Sequence, residues 1–270
     1  MNVDLMNPQN TDTERWPTLL SDCERTGGLG VKQVSAPNQV RWRVRLGKSV
    51  RSAPVLGGDL LYVTCLDGFL HAINTRTGRH AWKYEAGDEI HSTPSLSGDK
   101  VLFGCGDGKV RALERSSGRQ IWDFATGAEV WPSPVIQNGK VFFGSADGNF
   151  YAVNLESGKR EWVRPIGARI YSTAFATPGG LYFGCGDNKV YCLEESSGKV
   201  LWSTATGNVI DSSPAVSGDK VLVGSEDFSV YAFDAASGAV RWKFETGLGI
   251  SSSPAVSGGT VFIGSKDHLF

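Results

Sequence analysis

One feature constrains this chain more than any other: a tryptophan that returns every 40 residues. It occurs, without insertion or deletion, at Trp42, Trp82, Trp122, Trp162, Trp202 and Trp242. From Trp82 onward, each has a glycine four residues before it and another five residues after it. Repeats of this length indicate a solenoid, a propeller or an array in which every unit folds alike.

Within each unit, four short apolar segments alternate with turn residues. The unit from 90 to 129 reads IHSTPSLSGDKVLFGCGDGKVRALERSSGRQIWDFATGAE. Alternating β-branched and aromatic residues predict strands, and the Asp-Gly pairs at 67–68, 107–108 and 147–148 predict tight hairpins. Four strands in about 40 residues are typical of a propeller blade. The sequence therefore predicts an all-β fold, a β-propeller of four-stranded antiparallel blades.

Side-chain size predicts which strand of each blade lies innermost. The first strand is rich in Ser, Thr and Ala and carries a proline at 54, 94, 134, 214 and 254, with Ala174 in the remaining unit. Small residues suit the narrow centre of a wedge, and proline is tolerated on an edge strand. The tryptophan is on the fourth, outermost strand. We interpret the six tryptophans as structural, packing between blades, and not as a platform for a ligand.

The repeat also predicts the domain limits. Residues 1–39 form an N-terminal extension and connector, and residues 40–270 form the propeller. RWRVRL at 41–46 is phased as a fourth strand, while the last unit supplies first and second strands over 250–265. Joining the two ends would give about six blades. A truncated propeller of seven or eight blades is the alternative.

Composition excludes several functions. The formal net charge is −1, so no global field favours nucleic acid or an anionic membrane. The five cysteines include no CxxC pair, and no two histidines have a metal-like spacing, so we predict no metal site. No apolar stretch is long enough to span a bilayer. The sequence as written has no signal peptide, which predicts a cytoplasmic protein, or a periplasmic one if the true start lies upstream.

A second pattern connects the repeat to a known family. It runs from Ala72 through Gly78 to Trp82, and returns from 112 to 122, 152 to 162, 192 to 202 and 232 to 242. It resembles the tryptophan-docking motif of the PQQ-like, quinoprotein-type β-propeller repeat family. The resemblance covers about residues 16–270. It implies the propeller fold but leaves the function open, because the family includes quinone-dependent dehydrogenases, an outer-membrane barrel-assembly propeller and sensor domains.

The resemblance allows a test of the enzymatic alternative. The family's dehydrogenases hold pyrroloquinoline quinone beside two adjacent cysteines, with a calcium or lanthanide ion. This chain has no Cys-Cys pair and no haem CxxCH, and its constant register leaves no inserted loop to build a site. We therefore predict no enzyme, no catalytic residue and no cofactor, and place the chain in the non-catalytic branch.

Candidate binding residues are found where the repeats differ. The residue just before the Ser/Thr/Pro segment changes chemistry from unit to unit: Arg51, His91, Trp131, Tyr171, Asp211 and Ser251. By register these residues ring one mouth of the central channel, and a mixed aromatic and charged surface suits ligand or protein binding. Unconstrained variation at solvent-facing positions is the alternative.

The predicted function is therefore a non-enzymatic binding or scaffold propeller. It would engage a protein partner or small ligand through the channel mouth or a blade surface. The alternatives are a quinoprotein dehydrogenase or a fragment of one, and an assembly or sensor module of the barrel-assembly type. A competing contact site is a blade edge, where a partner segment could add as a strand.

Overall fold

The computed structural model describes residues 40–270, and nearly all of its regular structure is short β-strand. These strands form five four-stranded antiparallel sheets and one two-stranded sheet, each built from strands consecutive in sequence. The predicted all-β propeller is therefore confirmed, with the sixth blade represented by two strands. Within residues 40–270 there is no helix long and apolar enough to cross a membrane.

The first three sheets are called blades one to three. Blade one contains β1 to β4: Val55–Gly57, Leu60–Thr64, Phe69–Asn74 and His80–Glu85. Blade two contains β5 to β8: Ser95–Ser97, Lys100–Gly104, Lys109–Glu114 and Gln120–Ala125. Blade three contains β9 to β12: Val135–Gln137, Lys140–Gly144, Asn149–Asn154 and Arg160–Pro165.

The remaining sheets follow the same plan. Blade four contains β13 to β16: Phe175–Thr177, Gly180–Gly184, Lys189–Leu193 and Val200–Ala205. Blade five contains β17 to β20: Ala215–Ser217, Lys220–Ser225, Ser229–Asp234 and Val240–Glu245. Blade six contains β21 and β22: Ala255–Ser257 and Thr260–Phe262.

The segment 41–46 differs from its prediction. Its side chains alternate between exposed and half-buried, as in a strand, but it is not hydrogen-bonded into a sheet. The strand that should separate it from β22 has no counterpart among residues 40–270, and this explains why no ladder forms there. Trp42 nevertheless packs on blade one, where its Nε1 donates to the Thr75 carbonyl at 2.7 Å.

The tryptophans join each blade to the next in one repeated contact. Trp82, Trp122, Trp162 and Trp202 donate from Nε1 to carbonyl oxygens 33 residues on, at 2.9–3.0 Å. Each ring also lies against the glycine of that turn, so a Cβ on Gly158 would lie 2.7 Å from Trp122. Trp242 is different, because it is 37% exposed and makes no such contact within residues 40–270.

A second repeated contact runs along the inner strands. The backbone N–H of Thr93 donates to Ser133 Oγ at 2.9 Å, and that of Ser133 donates to Thr173 Oγ1 at 2.9 Å. The same bond, again 40 residues apart, links 53 to 93, 173 to 213 and 213 to 253. These hydroxyls, all but that of Ser253 buried, account for the small polar residues that lead into the first strand of each blade. We call this series the hydroxyl ladder.

Candidate binding site at the channel mouth

The residue two positions before each hydroxyl-ladder residue lies in the linker that leads into an inner strand, four residues before that strand begins. This places the six predicted ring positions at one end of the blades, here called the channel mouth. The turn between the second and third strands lies at the same end, because in blades one, three and five its aspartate accepts a hydrogen bond from the linker that leads into the blade. Asp67 Oδ2, for example, accepts from the Gly47 N–H at 2.9 Å.

Three of the predicted residues form one continuous stack, which we call the mouth stack. The His91 and Trp131 ring centroids are 4.6 Å apart at an interplanar angle of 27°. Trp131 and Tyr171 follow at 4.5 Å and 19°. All three side chains are half-buried, and each comes from a different blade. Aromatic pairs at such distances contribute about 0.5–1.5 kcal/mol beyond the burial of their surface.

Charged groups enclose the two ends of the mouth stack. Arg169 lies over the Tyr171 ring, 5.3 Å from its centroid, and Glu129 accepts from the Tyr171 hydroxyl at 3.0 Å. Burial and this carboxylate raise the pKa of Tyr171. At the other end Glu89 lies 3.5 Å from His91 Nε2. Contacts to Glu89, Glu129 and Arg169 thus flank the stacked rings on both sides.

Asp211, the fifth predicted residue, has an unpartnered polar atom. Its Oδ1 is buried, with no hydrogen-bond partner within residues 40–270. Burial raises the pKa of Asp211, while the nearby Arg169 opposes the rise. Buried polar atoms are normally satisfied, so an unpaired carboxylate oxygen is a place where a ligand donor would be favourable. Asp211 therefore extends the mouth site beyond Tyr171.

The two remaining ring residues are not part of this cluster. Arg51 and Ser251 are exposed, and neither makes a ring contact or ion pair within residues 40–270. Sequence comparison of the repeats placed them in the ring by register alone. The same register predicts that the preceding linkers add Glu129 and Arg169 to this mouth, and in the structure both contact Tyr171. The described site is an arc, formed from blades two to five.

One further group of ligating side chains lies in blade one, where Cys65, Asp67 and His71 approach one another within 4.8 Å. The thiol donates to the Lys48 and Ser49 carbonyls, and burial raises its pKa. Asp67 Oδ1 accepts from the Phe69 N–H, as its equivalents do in other blades. These contacts are those of the repeated turn, so the three groups do not need a metal to be satisfied.

The fold and the site together define a class: a repeat propeller with a fixed scaffold and one varied face. A family model described as outer membrane protein assembly factor BamB matches residues 27–202 and 171–269. The chain therefore belongs to this BamB-type, PQQ-like β-propeller repeat family. No curated protein matches the chain.

Solved structures with the same fold include an assembly factor and two enzymes. BamB from Moraxella catarrhalis is 19% identical over 84% of each chain, with a TM-score of 0.58. The quinohemoprotein alcohol dehydrogenase from Comamonas testosteroni is 18% identical over 87% of this chain and 50% of its own, with a TM-score of 0.75.

Quinohemoprotein alcohol dehydrogenase ADHIIG from Pseudomonas putida HK5 is 15% identical, with a TM-score of 0.70. The match includes 86% of the present chain and 48% of the enzyme. The chain thus spans about half the length of both dehydrogenases. At these identities the likeness shows the fold alone.

Proposed function

We propose that this chain is a non-enzymatic binding propeller that engages a protein partner through the channel mouth. The mouth stack supports this most directly, because three rings from three blades meet at positions where the scaffold requires no particular residue. Aromatic anchors inside a polar rim are typical of the energetic centre of a protein interface. Asp211 adds an unpaired acceptor for a donor on the partner.

The family supports the same proposal. The matching model is described as an assembly factor of outer membrane proteins, and an assembly factor acts by binding other proteins. An assembly or sensor module is accordingly the particular form of scaffold that we favour. We also infer that the repeated tryptophan contact is the family's docking motif, which stabilises the scaffold and takes no part in binding.

The proposal is tested with the Trp131→Ala, Tyr171→Ala double variant. Partners captured by the wild-type chain from the native host are identified, purified and titrated against both proteins. We expect the double variant to bind at least about 100-fold more weakly, since interface anchors of this type contribute about 2 kcal/mol or more each. Its melting temperature should remain close to that of the wild type.

A matched control comes from the exposed aromatics of the outer edge. Trp242 and Phe244 are 37% and 64% exposed, and they line an open apolar groove beside β22. The Trp242→Ala, Phe244→Ala double variant should retain full partner affinity. Loss of binding in this control, with normal binding by the mouth variant, would place the contact on the blade edge.

The enzymatic alternative has a separate test. Pyrroloquinoline quinone and calcium are added to the purified chain, followed by alcohols and a reducible dye. We expect no quinone absorbance change and no dye reduction, because the chain lacks the adjacent cysteines expected beside the quinone. Sustained turnover would show that the proposal of a non-enzymatic propeller is wrong.

A further inference from the structure

Blade one also contains a pair of histidines on neighbouring strands. His71, on β3, is 5% exposed, and His80 is the first residue of β4 and is exposed. His71 Nδ1 and His80 Nε2 are 3.1 Å apart. Two nitrogens bound to one tetrahedral zinc ion at about 2.0–2.1 Å are separated by about 3.3 Å, so this spacing fits a shared metal ion.

The other side of the His71 ring supports this geometry. His71 Nε2 lies 3.3 Å from Asp67 Oδ2 and 3.4 Å from Oδ1. A carboxylate at this place favours the tautomer with the proton on Nε2, in which the Nδ1 lone pair can coordinate a metal ion. Carboxylate–histidine–metal arrangements of this kind orient the ring and increase its basicity. Asp67 thus serves the proposed site without being a ligand.

The pair is peculiar to blade one, although the rest of its surroundings is repeated. The position of His71 is occupied by Arg111, Tyr151, Tyr191 and Tyr231 in the other blades, and each donates to the aspartate four residues earlier. The position of His80 is occupied by Gln120, Arg160, Val200 and Val240. Scaffold requirements therefore explain a hydrogen-bond donor at 71, but they do not explain a second imidazole 3.1 Å from it.

An open cleft of about 490 Å³ adjoins the pair. It is lined by segment 45–47 and by Phe69, Trp82 and Lys83, and it leaves room for waters to complete a coordination shell. Lys83 and Arg45 are cations on the same cleft, and Lys83 Nζ lies 4.5 Å from the Phe69 ring centroid. Their positive charge repels a metal cation, so direct coordination by the two histidines must outweigh this repulsion.

We propose that His71 Nδ1 and His80 Nε2 form a binding site for a divalent transition metal ion of the zinc, copper or nickel type. Imidazole ligands suit these ions, whereas calcium and magnesium require oxygen ligands. The bound ion would join β3 to β4 at the outer side of blade one. This site is separate from the channel mouth and does not depend on the proposed partner.

The test is calorimetric titration of the metal-free full chain with Zn²⁺ and with Ni²⁺. We expect one ion per chain, and a rise in melting temperature on binding because the ion binds the folded state. His71→Tyr and His80→Gln install residues that other blades carry at these positions, so the fold should be kept. Either change should weaken binding about 10–100-fold or more.

The other two histidines of the chain are the matched controls. His91→Gln and His268→Gln remove imidazoles outside the pair and should leave the affinity unchanged within about twofold. Since the cleft cations repel the ion, Lys83→Val should tighten binding, and added salt should tighten wild-type binding by screening. A gain of function is also expected: Tyr151→His with Arg160→His should create a second site beside Asp147.

Two results would overturn the proposal. The first is absence of binding to the wild-type chain at about 1 mM Zn²⁺ and Ni²⁺, which would reduce the pair to a hydrogen bond between neutral histidines. The second is binding that survives His80→Gln unchanged, which would place the ion elsewhere. His80 is exposed, so this variant remains informative even if His71→Tyr fails to fold.

Discussion

The outer and inner ends of the blade interfaces are built on different rules. At the outer end, five tryptophans make the same contact with the following blade, from Trp42 to Trp202. At the inner end, the hydroxyl ladder is equally regular, but the residue two positions before it is different in every blade. Constancy therefore marks the positions that hold the ring of blades together, and we propose that variation marks the positions that serve recognition.

The largest expected effect is at the outer end. Trp122 is 8% exposed and bonded to the Leu155 carbonyl. Trp122→Ala should destabilise the fold by about 3–5 kcal/mol, the usual cost of removing a buried aromatic side chain. Trp242→Ala, at the equivalent position without that contact, should cost less than about 1 kcal/mol. Denaturant unfolding of the two variants measures the difference, and equal costs would contradict the inferred role of the contact.

The glycine beneath the same ring should be the next most sensitive position. Gly158 has a φ of +66°, and an added Cβ would lie 2.7 Å from Trp122. Gly158→Ala should therefore combine left-handed strain of about 1–2 kcal/mol with the cost of displacing the ring, about 1–3 kcal/mol.

Gly218→Ala separates the two terms of that prediction. Gly218 has a similar φ of +58°, but nothing lies within 4 Å of its added Cβ. The control should therefore show the backbone strain alone, about 1–2 kcal/mol. If Gly158→Ala costs no more than Gly218→Ala in denaturant unfolding, the ring can move away freely and the interface is looser than inferred.

The sequence predicted the scaffold because its signals are local and repeated. Strand alternation, Asp-Gly hairpins and the 40-residue tryptophan spacing each require only near neighbours, and repetition in several units removes accidental matches. Segment 41–46 shows the limit of this reasoning. Its pattern is that of a strand, but a ladder depends on a partner, and residues 40–270 contain no third strand of blade six to pair with it.

The binding features were less accessible from the sequence. Register alone could place His91, Trp131 and Tyr171 in one ring, but stacking depends on rotamers and on the flanking Glu129 and Arg169. The histidine pair was missed entirely, since residues 71 and 80 lie nine apart on two strands whose pairing register shifts between Ala72 and Ile73. A comparison of equivalent positions contained the missing signal, because His80 has no histidine counterpart in any other blade.

A smaller effect is expected at the inner end, on the hydroxyl ladder. Ser133 is 5% exposed, and its hydroxyl accepts from the Thr93 N–H. Ser133→Ala leaves that buried donor unpaired, which should cost about 1–3 kcal/mol. Ser251→Ala, at an exposed ring position two residues before the last ladder residue, Ser253, should be neutral within about 0.5 kcal/mol. A neutral Ser133→Ala would show that the inner end tolerates variation everywhere, not only in the ring.

The smallest expected effect comes from the turns at the channel mouth and depends on pH. Burial alone would raise the pKa of Asp147, but bonds from the Tyr151 hydroxyl and the Gly127 and Asn149 amides outweigh it and lower this pKa. Burial and Asp147 together raise the pKa of Tyr151 to about 12.

These two pKa shifts limit, at opposite ends of the pH range, how much the Tyr151–Asp147 hydrogen bond contributes to the stability of the fold. The lowered pKa of Asp147 means that its contribution is lost as pH falls below the ordinary value of 3.8. The raised pKa of Tyr151 means that its contribution is complete below the ordinary value of 10.0 and is lost as pH rises towards about 12. Tyr151→Phe should therefore cost about 1 kcal/mol near pH 7 and less at both extremes.

Denaturant unfolding across this pH range measures the dependence. Tyr84→Phe is the matched control, because the Tyr84 hydroxyl donates to the uncharged amide of Gln120. The cost of this substitution should therefore not fall at acid pH. A cost of Tyr151→Phe that stays constant into acid would contradict the assigned partner. The turns that carry the repeated aspartate would then shape the channel mouth only through their backbone geometry. The contrast between fixed and varied positions would rest on the tryptophan contacts and the hydroxyl ladder.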